Sequence, residues 1–361
     1  MQENKRYFAA SNSSVGFKNY FGDIFSSKNI GRIYILKGGP GPGKSRFMRE
    51  VAEAAEGVGL DIEYFYCSSD PDSLDGVLIG NNVCAVIDGT APHSVDPIYP
   101  GAVDEIINLG EFWNEEILIP KRDEIISLSE DKKKAYRDAY RFLEASGLVR
   151  DDIKADVYEC VDMGKLRAAS ARLFSRIPEG EGFERTIRIQ KAIGMHGEAS
   201  FDTFEKMADK VYYILDTAKT GYLMLGEIYK RAKEKRLPVI CSFSPLQPDE
   251  LDGLYLPKNR TAFCIINEKR DLSERDKMIN MGRFIKKEQF SKIKGKIRFS
   301  MRCHDALLDE AKMRLNLASE AHFKLEKIYI SAMDFDSKEK ATKEYINKIL
   351  DYCEKMRNMV K

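Results

Sequence analysis

The sequence predicts an α/β protein built of two tandem three-layer α/β/α domains with parallel sheets, each carrying a helical segment. Three observations carry that expectation. Apolar strand-like runs alternate with helix-like runs, the pattern of a parallel sheet covered on both faces. One of these strands passes through a glycine-rich turn straight into a helix. The order of motifs in the first half then recurs in the second. The chain has 361 residues, a length that suits about two domains.

The elements of the first half follow in order. Arg32-Ile33-Tyr34-Ile35-Leu36 reads as a strand and Arg46–Glu56 as a helix. A second strand follows at Asp61–Cys67 and a third at Val83–Ile87. Glu115–Leu148 is charged and helical in pattern, and its Tyr136/Tyr140 spacing suits a helical hairpin packed on the sheet edge. Gln289–Phe323 is the matching segment of the second half. Ala341–Met359 reads as another helix, with Tyr345, Ile349, Leu350 and Cys353 on one stripe.

The repeat spans about half the chain. Pro71-Asp72-Ser73-Leu74-Asp75-Gly76-Val77-Leu78-Ile79 recurs as Pro248-Asp249-Glu250-Leu251-Asp252-Gly253-Leu254-Tyr255-Leu256. Ile33–Leu36 matches Tyr212–Leu215 upstream, and Ile106–Phe112 matches Met278–Phe284 downstream. A duplication accounts for this order, with domains at 1–175 and 176–361 and a linker-like stretch at Ser175–Gly182.

Gly38-Gly39-Pro40-Gly41-Pro42-Gly43-Lys44-Ser45 fits G-x-x-x-x-G-K-[S/T] at every position. Glycines let the backbone curl so that its N–H groups face an anion, and the helix that follows adds its positive end. Gly38 through Arg46 are therefore the expected phosphate cradle. Lys44 would reach the β- and γ-phosphates and Ser45 would ligate Mg²⁺. The second half reads Asp216-Thr217-Ala218-Lys219-Thr220-Gly221-Tyr222-Leu223 there, with Tyr222 and Leu223 in place of Lys44 and Ser45. Neither side chain neutralises a phosphate or holds Mg²⁺, so this copy serves as an internal control.

Val83–Asp88 is an apolar strand ending in a carboxylate, as expected of a group that holds Mg²⁺ through water. Asn267 is the counterpart of Asp88, and Gln247 of Asp70, so both charges vanish with the loop. Asp70 would orient an attacking water or hydroxyl, or shape a turn. Asp72 and Asp75 persist as Asp249 and Asp252 and read as turn-forming. His93 is either a γ-phosphate sensor or an ordinary loop histidine. Arg137 and Arg141 lie one helical turn apart, and only Arg137 tracks the intact loop as a lid charge; a solvated basic face is the alternative. Tyr7-Phe8 would stack a base or sit in a core.

With 58 basic and 57 acidic residues, the composition demands no polyanionic partner, and no nucleic-acid-binding signature is present. Seven cysteines without a C-x-x-C pair suit reduced thiols in a cytoplasmic protein, and four histidines argue against zinc. No apolar stretch follows Met1–Arg6 as in a signal peptide, and none reaches the ~18 residues of a membrane span.

On the loop and on Val83–Asp88, the chain resembles P-loop NTPases. On Cys67–Gly76 and Val86–His93 it also resembles a family of uncharacterised bacterial tandem P-loop ATPase-like proteins, in which the second half often keeps its own loop. The extra strand ahead of Asp88 suits the branch that places a strand between the P-loop strand and the Walker B strand, as AAA-type and RecA-type proteins do. The resemblance implies ATP or GTP binding with Mg²⁺ and hydrolysis at one site in the first half, with the second half as scaffold or regulatory module. A nucleotide or small-molecule kinase is the alternative, because Gly89 stands where hydrolases of that branch usually carry Glu. A nucleotide-dependent binding switch is the third reading. A homo-oligomer sharing a site between chains remains compatible with all three.

Overall fold

The computed structural model describes residues 5–359. The first half runs β1 (Lys5–Phe8), β2 (Ala10–Ser13), β3 (Gly16–Asn19), α1 (Phe21–Ile24), β4 (Arg32–Lys37), α2 (Lys44–Gly57), β5 (Ile62–Tyr66), β6 (Leu74–Ile79), β7 (Cys84–Asp88), β8 (Asp104–Asn108), α3 (Glu115–Leu118), α4 (Arg122–Glu159) and α5 (Met163–Phe174). The second runs β9 (Arg185–Ile187), β10 (Lys191–Gly194), β11 (Gly197–Ser200), α6 (Thr203–Met207), β12 (Lys210–Leu215), α7 (Gly221–Glu234), β13 (Val239–Phe243), β14 (Leu251–Leu256), β15 (Thr261–Ile266), β16 (Lys277–Asn280), α8 (Lys287–Ile330) and α9 (Phe335–Met359).

Two six-stranded sheets result, ordered β1-β5-β6-β7-β4-β8 and β9-β13-β14-β15-β12-β16. Strand for strand the two orders are the same. Each sheet is mixed, not parallel as expected: β6 is antiparallel to β5 and β7, and β14 to β13 and β15. Residues 67–73 join β5 to β6, a connection too short for a parallel crossover, which needs about a dozen residues or more. Asp75-Gly76 breaks the apolar run of β6 and hid the strand in the sequence. The strand that leads into the glycine-rich loop also departs from the expectation. β4 is hydrogen-bonded directly to β7, with no strand between them.

Apolar faces explain the layering. Phe47, Met48, Val51, Ala52 and Ala55 form the buried stripe of α2 and pack with Tyr34, Leu36, Val77 and Val86 on one face of the first sheet. Phe21, Ile24 and Phe25 from the α1 region cover its other face, against Ile33, Ile35 and Ala85. That second core continues into the other half through Ile187, Ile189, Phe204 and Tyr255. Tyr7 and Phe8 lie in it, wholly buried, with Phe8 stacked on Phe201 at 4.7 Å. They are core residues and stack no base. The halves also meet so closely at Gly194 that a β-carbon there would fall 1.9 Å from the Ser68 carbonyl oxygen.

The charged segment of each half is one long helix, not a hairpin. α4 has no proline within it, and it pairs with α8 of the other half. The helices that follow are exchanged: α5 packs on α7, and α9 packs on α2. Ile349 and Cys353 of α9 are buried in the first half's core, and Cys353 Sγ lies 3.3 Å from Cys84 Sγ. Isolated bridges Trp113–Met333 and Val161–Ile285 mark the two crossings. Among the described residues no helix is long and apolar enough to cross a membrane.

Candidate functional site

The loop between β4 and α2 depends on glycine for its shape. Gly38, Gly41 and Gly43 have φ of 136°, 83° and 79°, values that side chains disfavour. Gly43 caps α2 without any side-chain hydrogen bond. The first N–H groups of this 14-residue helix thus face the loop interior, the arrangement that accepts an anion. Lys44 Nζ donates to the carbonyls of Gly38 (2.9 Å) and Gly39 (2.7 Å) and lies 3.5 Å from Asp88 Oδ2. Asp88 Oδ1 accepts from the Thr90 N–H (2.8 Å) and hydroxyl (2.6 Å). Ser45 Oγ accepts from Leu74 N–H at 3.0 Å, which leaves its second lone pair free. Arg46 points outward and pairs with Glu50 at 2.7 Å.

Elements far away in sequence roof the loop. A β-carbon on Gly41 would sit 3.1 Å from the Glu326 carbonyl oxygen and 3.2 Å from Ile330 N, both on α8. One on Gly39 would sit 3.0 Å from the Trp113 ring, and one on Gly43 3.5 Å from Lys338 Nζ on α9. Burial, reinforced by the Lys44 charge, pushes the Lys132 ammonium of α4 below its usual range. Burial, together with Lys132 and Lys44, pushes His322 down to about 4. Burial and the Asp70 charge push the Glu326 carboxyl up. Lys44, Lys132, Asp70, His322 and Glu326 therefore share one electrostatic environment, to which both halves contribute.

Asp70 forms the expected turn, accepting from Ser73 Oγ at 2.6 Å and Asp72 N at 3.2 Å, while its charge reaches His322 and Glu326. Arg137 is exposed on α4. Its neighbour Tyr136 turns inward and donates to Ser69 Oγ at 3.1 Å. Sequence reasoning singled out Arg137 and missed Lys132, three places on from Ser129 in the same charged run. It also missed His322 and Glu326, which the pairing of α8 with α4 brings in from the other half, and Lys338, which arrives with the exchanged α9.

Asp75 is a buried strand residue, not a turn former. It is 4% exposed, and its Oδ1 lies 3.7 Å from Nε2 of His93, itself 5% exposed. Asp75, Asp88 and His93 each place a ligand-type atom within 4.8 Å of the other two. Burial, with the charge of Asp88 nearby, pushes the Asp75 carboxyl up, and His93 opposes that shift.

Strand register corrects the alignment of the two halves. Leu36 faces Asp88, whereas Ile214 faces Ile265; Lys37 faces Asn108, whereas Leu215 faces Asn280. The position of Asp88 is therefore taken by Ile265, two residues before Asn267. The helices begin at Lys44 and Gly221, which puts Gly221 at Lys44 and Tyr222 at Ser45. The second loop is closed by its own side chain. Asp216, 4% exposed, accepts from the N–H groups of Ala218 (3.2 Å), Thr220 (2.9 Å) and Gly221 (2.7 Å). A carboxylate of the chain thus fills the role that an external anion would take. A cavity of about 1050 Å³ opens elsewhere in that half, lined by Arg6, Lys191, Glu205, Asp252, Asn267 and Arg270 among others.

No family model, no curated protein and no solved structure matches this chain. The functional reading rests on the site itself.

Proposed function

We propose that the protein binds Mg·ATP or Mg·GTP at Gly38–Ser45 and hydrolyses it at this one site. The observation that carries the reading is Lys44, placed 3.5 Å from Asp88 beneath a loop of three positive-φ glycines at an uncapped helix start. The donor set fits the group: backbone N–H and two mutually repelling ammonium groups for phosphate, a hydroxyl and a carboxylate for Mg²⁺. Phosphate between Lys44 and Lys132 would relieve their repulsion. Mg²⁺, when bound, neutralises phosphate charge and is held by Ser45 and, through water, by Asp88. Asp70 is the group proposed to orient the attacking oxygen, and its charge reaches Glu326. The second half serves as scaffold, since Asp216 occupies its anion position.

Transfer to a small acceptor is the second reading, and a specific observation favours it. β4 and β7 are neighbours, which removes the support for the AAA and RecA branch. The roof of α4 and α8 over the loop also suits an enclosed phosphoryl transfer, where water must be kept out.

Trp113 is the only tryptophan in the chain and lies against Gly39, so its fluorescence reports on the loop. Titration with Mg·ATP and Mg·GTP should give a saturable change that Lys44→Ala abolishes. Unchanged affinity in that variant would refute the site. Phosphate release measured with and without candidate acceptors then separates hydrolysis from transfer.

A further inference from the structure

We propose that Asp75, Asp88 and His93 form a binding site for a divalent transition metal of the Mn²⁺, Co²⁺ or Zn²⁺ class, occupied without nucleotide. The proposal touches the nucleotide reading only through the shared carboxylate of Asp88.

The three ligand-type atoms lie within 4.8 Å of one another. Ligands about 2.0–2.2 Å from one ion sit roughly 3–4 Å apart, so a small closure suffices. Each group is held by the fold. Asp75 projects from β6, between β5 and β7. Asp88 is oriented by its two bonds from Thr90. His93 stacks on Phe21 at 4.6 Å with the rings 11° apart.

The second observation is unmet bonding. Asp75 and His93 are both more than nine-tenths buried, and their 3.7 Å separation is too long for a hydrogen bond. Among the described residues, Asp75 Oδ2 and His93 Nδ1 have no hydrogen-bond partner within normal geometry, and the buried Cys67 thiol is the polar side chain beside Asp75. Buried polar atoms without partners are costly and call for a ligand, ion or water.

The other half supplies a control. Asp252 stands at the position of Asp75; among the described residues its carboxylate oxygens also lack hydrogen-bond partners, but it has a built-in cation, Lys191 Nζ, at 3.3 Å. In the hairpins, Lys191 pairs with Ser200 as Ala10 pairs with Asn19, so the first half has alanine where the second has lysine. The first half therefore has the Asp88 carboxylate where the second has Ile265, and lacks that ammonium. Lys44 partly offsets Asp88, but its ammonium also serves the loop carbonyls. An exogenous cation takes the place of Lys191. The imidazole selects the transition-metal class over Mg²⁺ and Ca²⁺, which prefer all-oxygen sites.

The test uses purified full-length protein, stripped with chelator and titrated with Co²⁺ in the absence of nucleotide. Visible d–d absorption should saturate at one Co²⁺ per chain and persist in millimolar Mg²⁺. His93→Gln and Asp75→Asn should each weaken Co²⁺ binding at least about tenfold. Lys44→Ala should lose nucleotide and keep Co²⁺, so the two readings fail separately. Wild-type protein that takes up no Co²⁺ overturns the proposal without any variant, as does unchanged affinity in a folded His93→Gln protein.

Discussion

Asp216 Oδ2 accepts a 2.7 Å hydrogen bond from the Gly221 N–H, at the first residue of α7. With the bonds from Ala218 and Thr220, the carboxylate satisfies three backbone donors that an anion would otherwise meet. Asp216→Ala should destabilise the protein by about 2 kcal/mol, from a lost cap and buried donors left unmet. Urea unfolding measures it. Nucleotide affinity should not rise, because Ile265 and Tyr222 still lack the required chemistry.

Lys191 and Asp252 form a largely buried pair. Lys191→Met should leave Asp252 uncompensated and cost about 3 kcal/mol. Adding Asp252→Asn should recover much of that loss. Additive effects in the double-variant cycle would show that the pair is not coupled.

His322 is held down at about 4 by burial and by Lys132 and Lys44, against an ordinary 6.5. Its unfolded form therefore binds a proton that its folded form refuses. The stability this contributes is complete above pH 6.5 and is lost as pH falls from 6.5 towards 4, by about 3 kcal/mol. Glu326, whose carboxyl is pushed up, acts in the opposite sense, favouring the fold at low pH and losing that contribution as pH rises. Unfolding free energies for wild type and His322→Gln between pH 7.5 and 4.5 should diverge, with the variant showing the shallower loss.

Gly194→Ala should disrupt the junction between the halves, since the new β-carbon would lie 1.9 Å from the Ser68 carbonyl oxygen. Backbone on both sides must move, so a loss of about 3 kcal/mol or more is expected. Gly226, where a β-carbon meets nothing within 4 Å, is the matched control: Gly226→Ala in α7 should be neutral or stabilising. Thermal unfolding of the two variants distinguishes them.

The parts of the site that were legible in the sequence are local ones. The loop, its strand and its helix need only neighbouring residues, and Asp88 ends the strand read for it. Strand β6 was hidden because Asp75-Gly76 interrupts its apolar run, and it forms only between β5 and β7. The persistence of Asp75 as Asp252 suggested a turn; both are instead buried, one beside His93 and the other beside Lys191. Matching similar apolar residues put Asn267 opposite Asp88, and only hydrogen-bond register reveals Ile265. Lys132, His322 and Lys338 carry no local signal, because their place over the loop depends on which half each helix packs against.

The exchange of α5 and α9 gives one chain the architecture of a two-subunit assembly whose protomers embrace. Each sheet keeps its own strands but borrows a helix from the other half. Joined covalently, the partners meet at a fixed effective concentration, so folding is independent of dilution. Cleaving the chain between residues 175 and 184 should leave two fragments that stay together through gel filtration. Produced apart, neither should fold: the first would lack the cover α9 gives to α2, and the second the cover α5 gives to α7.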